Sequence, residues 1–325
     1  MDERRTWRVE ATVPWWERSA WARGRVCAAS AVLLAGLLAF HRVVPNSVGR
    51  VGSLLETFLP WLWLVVVALF GLALSRRSVT ALVALLLPVA VWTYLFGGLL
   101  LPGEESGHDL VVVQHNVSDV NPDPAGTALA LAGGRPDLIA LQELVHPALA
   151  VYEKTLAPAY PYHAVHGTVG LWSKHPLTGD RPLDVRPRGI AGPWSRGLRA
   201  VVRTPGGDIA VYVAHLPSVR VRASGLASSW RDESAGLLGA AVAAEKVERV
   251  ILLGDLNGTV DDRGLAPLTS RMNVAERGLA FSFPAAFPVA RIDQVMARSA
   301  TVGRLRTLPA TGSDHLPVVG RVTLR

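Results

Sequence analysis

Val250-Ile251-Leu252-Leu253-Gly254-Asp255-Leu256-Asn257 is an apolar run of strand length that ends on a carboxylate and a carboxamide. A second polar cluster, Ser313-Asp314-His315-Leu316-Pro317, abuts the apolar run 318–324 near the end of the chain. Each cluster places polar atoms where a buried strand meets a loop, which is where α/β and sandwich enzymes keep their chemistry. A carboxylate beside a carboxamide, and a carboxylate beside an imidazole, suit a divalent metal and a phosphate ester.

Outward from these clusters, β-branched apolar runs alternate with turn residues from His108 onward. Residues 109–113, 138–141, 170–172, 198–203, 209–214, 250–253, 291–297 and 318–324 read as strands, and 125–132 and 229–245 as helices. Strands dominate, so a two-sheet α/β sandwich fits better than a doubly wound parallel sheet. Several strand ends carry a polar group: Asn116, Glu143, His215, Asp255 with Asn257, Asp293, and Asp314 with His315. Taken singly, these have ordinary readings: a turn Asn, a first-turn Glu, a satisfied core His, an Asx-turn. Asp293 is the least ordinary, because an unpaired carboxylate inside a strand is costly.

The first hundred residues differ in kind. Three apolar stretches, roughly 26–44, 54–74 and 79–101, lack charged residues in their middles. Each approaches or exceeds the ~20 residues needed to cross a bilayer as a helix. The late start of the first, with two more behind it, argues against a cleaved signal peptide. Arg4, Arg5, Arg8, Arg18, Arg23 and Arg25 precede the first stretch, and Arg76 and Arg77 separate the second from the third. The segment 102–109 has three acids and no Lys or Arg. Positive residues favour the cytoplasmic side. The expectation is therefore a multi-pass protein of the cell membrane with its N-terminus inside and its C-terminal domain outside the cytoplasm. The expected organisation is a basic, Trp-rich cytoplasmic tail over 1–25, a three-span membrane domain over 26–101, a linker over 102–107 and a catalytic domain over 108–325.

From His108 onward 23 Arg plus Lys face 19 Asp plus Glu, an excess too mild to predict nucleic-acid binding. Cys27 is the sole cysteine, so no disulfide forms within one chain, and the redox compartment stays open.

Six motifs now stand in order: Gln114-His115-Asn116, Gln142-Glu143, Ala214-His215-Leu216, Gly254-Asp255-Leu256-Asn257, Arg291-Ile292-Asp293 and Ser313-Asp314-His315-Leu316-Pro317. Together they resemble the endonuclease/exonuclease/phosphatase superfamily, whose fold is the DNase I-like two-sheet α/β sandwich. Here that sandwich would be preceded by three transmembrane helices. The resemblance implies Glu143 as the principal Mg²⁺ ligand, with Asn116 and Asp314 assisting; Mn²⁺ would serve as well. It implies that Asp255 and Asn257 orient the phosphate and the attacking water. His315 would act on the water or steady phosphoryl oxygens, with Asp293 holding its imidazole, and His215 would donate to the phosphate or the leaving oxygen. The sequence departs from many relatives at Ala214, where they have Thr, and at Pro217, where some have an Asn contact.

Arg220, Arg222 and Arg231 offer forked cationic donors near the His215 strand end, with Arg188, Arg196 and Arg199 in the preceding loop. Phe281-Ser-Phe-Pro-Ala-Ala-Phe-Pro288 adds aromatic surface before Asp293. The N-terminal spans and the segments Ala214–Arg220, Gly254–Thr259 and Thr311–Pro317 also resemble the VanJ-type membrane proteins of actinobacteria, associated with glycopeptide resistance. That resemblance implies a phosphatase of a lipid-linked phosphate, the undecaprenyl diphosphate of cell-wall synthesis. The bilayer would be its partner, with nucleic acid disfavoured. The alternatives are an envelope-anchored Mg²⁺-dependent nuclease, a phospholipid phosphodiesterase, and an inactive module that binds lipid-linked precursors.

Overall fold

The computed structural model describes residues 24–101 and 107–325. The tail over 1–25 lies almost wholly outside the described residues, as does most of the 102–107 linker. The chain divides into two compact units.

One unit comprises residues 24–41 and Leu59–Phe96. It contains helices α1 (Arg25–Ala39), α3 (Trp63–Ser75), α4 (Val79–Ala84) and most of α5 (Leu86–Leu100); α2 (Val51–Thr57) belongs to the other unit. Small side chains line the helix contacts: Ala31, Ala73 and Ala81 are fully buried. Many large apolar side chains instead point outward, among them Leu64, Val67, Leu74, Leu86 and Leu87.

The expectation of three membrane-spanning helices is corrected. Among the described residues one helix, Val79–Leu100, is long and apolar enough to cross a membrane. α1 has 15 residues, which at 1.5 Å per residue covers about 22 Å of the ~30 Å of hydrocarbon. The second apolar run breaks: Val51–Thr57 and Leu59–Ser75 are bent by 73°. Pro60 lies just past the break; it has no N–H to continue a helix, and its ring would clash with the carbonyl four residues back.

The other unit comprises Arg42–Phe58 and Gly97–Arg325. The stretch 26–101, expected as one membrane domain, is thus divided between the two units. Its strands are β1 (Leu110–Asn116), β2 (Leu138–Gln142), β3 (Tyr162–His166), β4 (Val169–Ser173), β5 (Leu177–Pro182), β6 (Gly197–Thr204), β7 (Gly207–His215), β8 (Arg220–Arg222), β9 (Gly225–Ala227), β10 (Val250–Asp255), β11 (Asn273–Val274), β12 (Asp293–Arg298), β13 (Ala300–Val302), β14 (Arg306–Thr307) and β15 (Val318–Leu324). The helices are α6 (Pro124–Gly133), α7 (Ala148–Leu156), α8 (Ser229–Ala243) and α9 (Ala266–Thr269).

Two sheets form, in the orders β13-β15-β1-β2-β4-β3 and β11-β12-β10-β7-β6-β5; β14 joins the first beside β15, and β8–β9 is a separate hairpin. The alternating pattern of each strand decides the layers. Leu110, Val112, Leu138, Val211, Val213, Ile251 and Leu253 meet between the sheets. The opposite faces carry Val113, Ile139 and Leu141 under α6 and α7, and Ala210, Tyr212 and Leu252 under α8 and α9. The result is the expected two-sheet α/β sandwich, a four-layer stack.

Each sheet contains one parallel pair joined through a helix: β1–β2 through α6, and β7–β10 through α8. Parallel strands bring their C-terminal ends to one edge. The antiparallel neighbours β12 and β15 begin at that edge. The topology therefore gathers six strand ends that lie far apart in sequence.

Candidate active site

Asn116 ends β1, and Glu143 follows β2. His215 and Asp255 end β7 and β10, lie opposite each other in register, and Asp255 also pairs with Asp293 across β12. β10 and β7 approach so closely that a Cβ on Gly254 would lie 2.0 Å from the Ala214 carbonyl oxygen, so only glycine fits there.

Asn116 Nδ2 donates to Glu143 Oε1 and to Asp255 Oδ2, both at 3.1 Å. Glu143 Oε2 accepts from the Asp119 backbone N–H at 3.3 Å, and its side chain keeps 30% exposure. The Glu143 backbone has φ 62°, left-handed space that a glutamate adopts only at a cost of about 1–3 kcal/mol. In this conformation its carboxylate accepts from Asn116. Asn257 is also left-handed at φ 48°, which asparagine tolerates. Its backbone N–H donates to Asp255 Oδ1 at 2.9 Å, and its carboxamide donates to the Leu216 carbonyl at 2.9 Å.

His315 Nδ1 lies 2.8 Å from Asp293 Oδ2, and Nε2 lies 3.8 Å from Asp255 Oδ2. Asp293 also accepts from the Ser282 hydroxyl at 2.6 Å and, through a very short contact, from the Gln114 carboxamide. The Phe283 ring packs against the imidazole with centroids 4.8 Å apart. Burial alone would lower the His315 pKa, but Asp293 and Asp255 outweigh it and raise it to about 10. Burial, with Asp293 beside it, pushes the Asp255 carboxyl up to about 7 against the pull of His315.

His215 behaves oppositely. Burial, reinforced by the Arg196 guanidinium, lowers it to about 3, so it is a neutral imidazole. Arg196 Nη1 lies 3.4 Å from His215 Nδ1. Guanidinium only donates, so Nδ1 accepts and the proton sits on Nε2. That Nε2–H faces Asp255 at 3.6 Å and Glu143 at 3.8 Å.

The structure therefore brings Asn116, Glu143, His215, Asp255, Asn257, Asp293 and His315 together. Asp314 is exposed, adjacent to the buried cluster rather than in it, and its backbone carbonyl accepts from Ala285 N–H at 2.7 Å. Arg220 and Arg222 are exposed on β8. Arg231 differs from its expected role as a substrate ligand. It is buried at 1% exposure, its Nε donates to Asp232 at 2.7 Å, a short contact joins it to Asp262, and Nη1 donates to the Asn257 carbonyl at 3.1 Å. A buried arginine needs such partners, and with them it braces the Asn257 loop instead of meeting solvent. Arg188 and Arg199 pair with Glu233 and Glu245. Of the loop arginines, Arg196 reaches the site. Arg196 was among the arginines read as cationic donors, whereas the contacts of Gln114 and Ser282 with Asp293 had no distinguishing sequence signal.

The donor set suits a hard divalent cation. Asp255, Asp293 and His315 place one ligand atom each within 4.8 Å of one another. Both Asp293 oxygens are already occupied by Gln114, Ser282 and His315, however. The Glu143 carboxylate is the partly open one, with Asn116 and Asp255 beside it, and converging carboxylates of this kind are what a hard cation relieves.

A four-layer sandwich with carboxylates, carboxamides and imidazoles converging at one edge defines a class of phosphoester hydrolases. The chain belongs to the Endonuclease/Exonuclease/phosphatase family, which it matches over residues 107–315. Members of that superfamily are hydrolases of phosphoester bonds and typically depend on a divalent metal. Similar solved structures include an endonuclease/exonuclease/phosphatase from Beutenbergia cavernae (20% identity, TM-score 0.54, 67% of this chain and 72% of that one). Another comes from Bacteroides vulgatus (16%, 0.54, 67% and 100%). A third is sphingomyelinase C from Streptomyces griseocarneus (18%, 0.50, 65% and 98%). At these identities the likeness establishes the shared fold. No curated protein matches the chain.

Proposed function

We propose that this chain is a membrane-associated, Mg²⁺-dependent hydrolase of an amphiphile's phosphate or diphosphate group. The observation that carries this reading is a groove of about 400 Å³ beside His215. Arg196, Arg220 and Arg222 supply positive charge there, Trp194, Trp230, Ile190 and Pro217 supply apolar surface, and among the described residues no carboxylate lines it. Arg196 stacks on Trp194 with its guanidinium carbon 4.3 Å from the ring centroid, which holds its fork in place. Cationic forks beside indole rings suit a phosphate joined to an apolar chain.

The outward apolar face of the helical unit supports association with a bilayer, because contiguous exposed apolar surface needs a cover. Residues 42–58 and the catalytic domain form one compact unit, so they lie on one side of any bilayer. The apolar segments 59–75 and 79–100 between them then cross it together or not at all. If they cross, Arg76 and Arg77 between them lie on the side opposite the catalytic domain, and a cytoplasmic place for those arginines puts the domain outside the cytoplasm. The VanJ-type resemblance makes undecaprenyl diphosphate the specific lipid to test.

In this reading Glu143, Asn116 and Asp255 hold the cation, with Asp314 within the same loop edge. When bound, it neutralises phosphoryl charge and polarises the phosphorus centre. Asp255 and Asn257, held together by the Asn257 N–H on Asp255 Oδ1, orient the attacking water and the phosphate. His315, held protonated by Asp293, donates from Nε2 to a phosphoryl oxygen. His215, whose Nδ1 faces Arg196, donates from Nε2 beside Glu143 and Asp255.

The test is hydrolysis by the full chain in detergent with Mg²⁺, read as phosphate released from the lipid diphosphate, phosphocholine released from sphingomyelin and nicking of supercoiled DNA. Undecaprenyl diphosphate, sphingomyelin and plasmid DNA are compared, with Glu143→Ala and His315→Ala as controls. Release from the lipid diphosphate that both variants lose supports the reading. Nicking of DNA in its place selects the nuclease alternative. No turnover of any of them selects the binding module.

A further inference from the structure

Residues 42–58 lie in sequence between two apolar segments, yet they pack as part of the catalytic unit. Glu56 on α2 is fully buried. Its carboxylate accepts from Arg263 Nε and the Arg263 backbone N–H at 2.9 Å, and from Nη2 at 2.8 Å. Arg263 Nη1 also donates to the Val44 carbonyl at 2.8 Å. A buried carboxylate that takes three donors from one residue fixes that residue's backbone as well as its side chain.

Arg263 directly follows Asp262, which is 2% exposed and paired with Arg231. Arg231 donates onward to the Asn257 carbonyl. Arg50, which caps α2 in the same segment, makes a very short ion pair with Asp232, which in turn accepts from Arg231. Two routes thus run from 42–58 to the loop that follows Asp255. Gly258 seals them: a Cβ there would lie 1.8 Å from Arg231 Nη1. A third contact reaches the groove. Gly49 carbonyl accepts from Leu226 N–H at 2.8 Å on β9, the hairpin partner of the strand bearing Arg220 and Arg222.

We infer that residues 42–58 are a positioning strap for the catalytic loop and the β8–β9 hairpin, and that Glu56 and Arg263 are positioning residues although they touch no substrate. The effect on turnover rests on the active-site reading above. The strap's bracing of residues 256–265 does not, and it is measured separately. The strap is continuous in sequence with an apolar segment at each end.

The experiment uses the full chain in detergent, with bis(p-nitrophenyl) phosphate as the probe. Glu56→Ala is compared with Glu56→Gln, Glu143→Ala and the parent by amide hydrogen exchange and steady-state kinetics. Glu56→Ala is expected to speed exchange over 256–265 and 220–227 by on the order of tenfold while leaving β1 and β2 unchanged. The kcat falls on the order of tenfold, within the range for groups that orient catalytic residues, and KM moves less than about twofold. Glu56→Gln, which keeps its acceptor oxygen, recovers part of both. Parental exchange over 256–265 in a folded Glu56→Ala protein overturns the strap. Full activity in Glu143→Ala overturns the active-site reading instead, and the exchange result still decides the bracing. If Glu56→Ala does not fold, Arg50→Ala removes the half-exposed ion pair alone, and the same exchange signature or its absence decides.

Discussion

His315 Nδ1 is 2.8 Å from Asp293 Oδ2, and Asp293 accepts from Gln114 and Ser282 as well. Both Asp293 oxygens accept, so Nδ1 donates to Asp293 and Nε2 is directed at Asp255. Asp293→Asn replaces one acceptor with an amide that faces two donors. The imidazole then loses both its orientation and its counter-charge. We expect kcat on a soluble phosphodiester to fall on the order of 10²–10⁴-fold, the range for a mispositioned acid–base group. A variant within a factor of three of the parent would remove His315 from the chemistry.

Glu143 combines strained backbone with a partly open carboxylate beside Asn116 and Asp255. Mg²⁺ that binds the folded chain alone raises its stability by mass action. Excess Mg²⁺ is expected to raise the parent's Tm by several degrees and EDTA to reverse it. Glu143→Ala should show neither response and should lose activity. Retention of the Mg²⁺ shift in Glu143→Ala would move the cation to Asp255, Asp293 and His315.

Far from the site, Glu245 accepts from Arg199 at 2.9 and 3.0 Å and from Tyr212 at 2.8 Å. Burial would raise its carboxyl, but Arg199, the Val247 N–H and Tyr212 bring it down from 4.5 to about 2. A folded pKa below the unfolded one means that the carboxylate stabilises the fold above the unfolded value. The contribution shrinks as pH falls toward the folded value. The Tm gap between the parent and Glu245→Gln should therefore be constant above about pH 5 and close between about pH 4.5 and 2. A gap that widens on acidification would contradict the assignment.

The sequence made the sandwich legible because its strands are buried on one or both faces, and burial writes itself as apolar runs. Residues 250–253 and 209–214 were readable for that reason. The edge strands β3 and β5 were not, since their exposed residues carry little pattern. Asn116, Glu143, His215, Asp255 and Asp293 were legible as polar residues at strand ends, where an apolar run stops. Partners such as Gln114 and Ser282 depend on register between strands distant in sequence, which no local window contains. The break after Thr57 was hidden by hydropathy: Leu54–Leu74 reads as one apolar run, although Glu56 and Pro60 interrupt it. Glu56 in that run marked a buried ion pair, and its partner Arg263 lies 207 residues away.

Arg231 and Arg196 separate bracing from binding. Arg231 is buried among Asp232, Asp262 and the Asn257 carbonyl, so Arg231→Ala leaves the buried Asp262 short of a cation and Asp232 with Arg50 alone. Breaking one partner out of a buried network costs about 3–5 kcal/mol, and the expected result is a large fall in Tm with turnover lost through the displaced loop. Arg196 instead borders the groove, and Trp194 and His215 are its contacts. Arg196→Ala should leave Tm within about a degree and raise KM for a phosphorylated amphiphile roughly tenfold, in keeping with the loss of about 1.4 kcal/mol of charge-assisted hydrogen bonding. Arg196→Lys keeps the charge but not the fork, and should recover only part of that affinity. Were Arg196→Ala to lower Tm as far as Arg231→Ala does, the groove would be a piece of the scaffold and the cationic binding surface would have to be sought elsewhere.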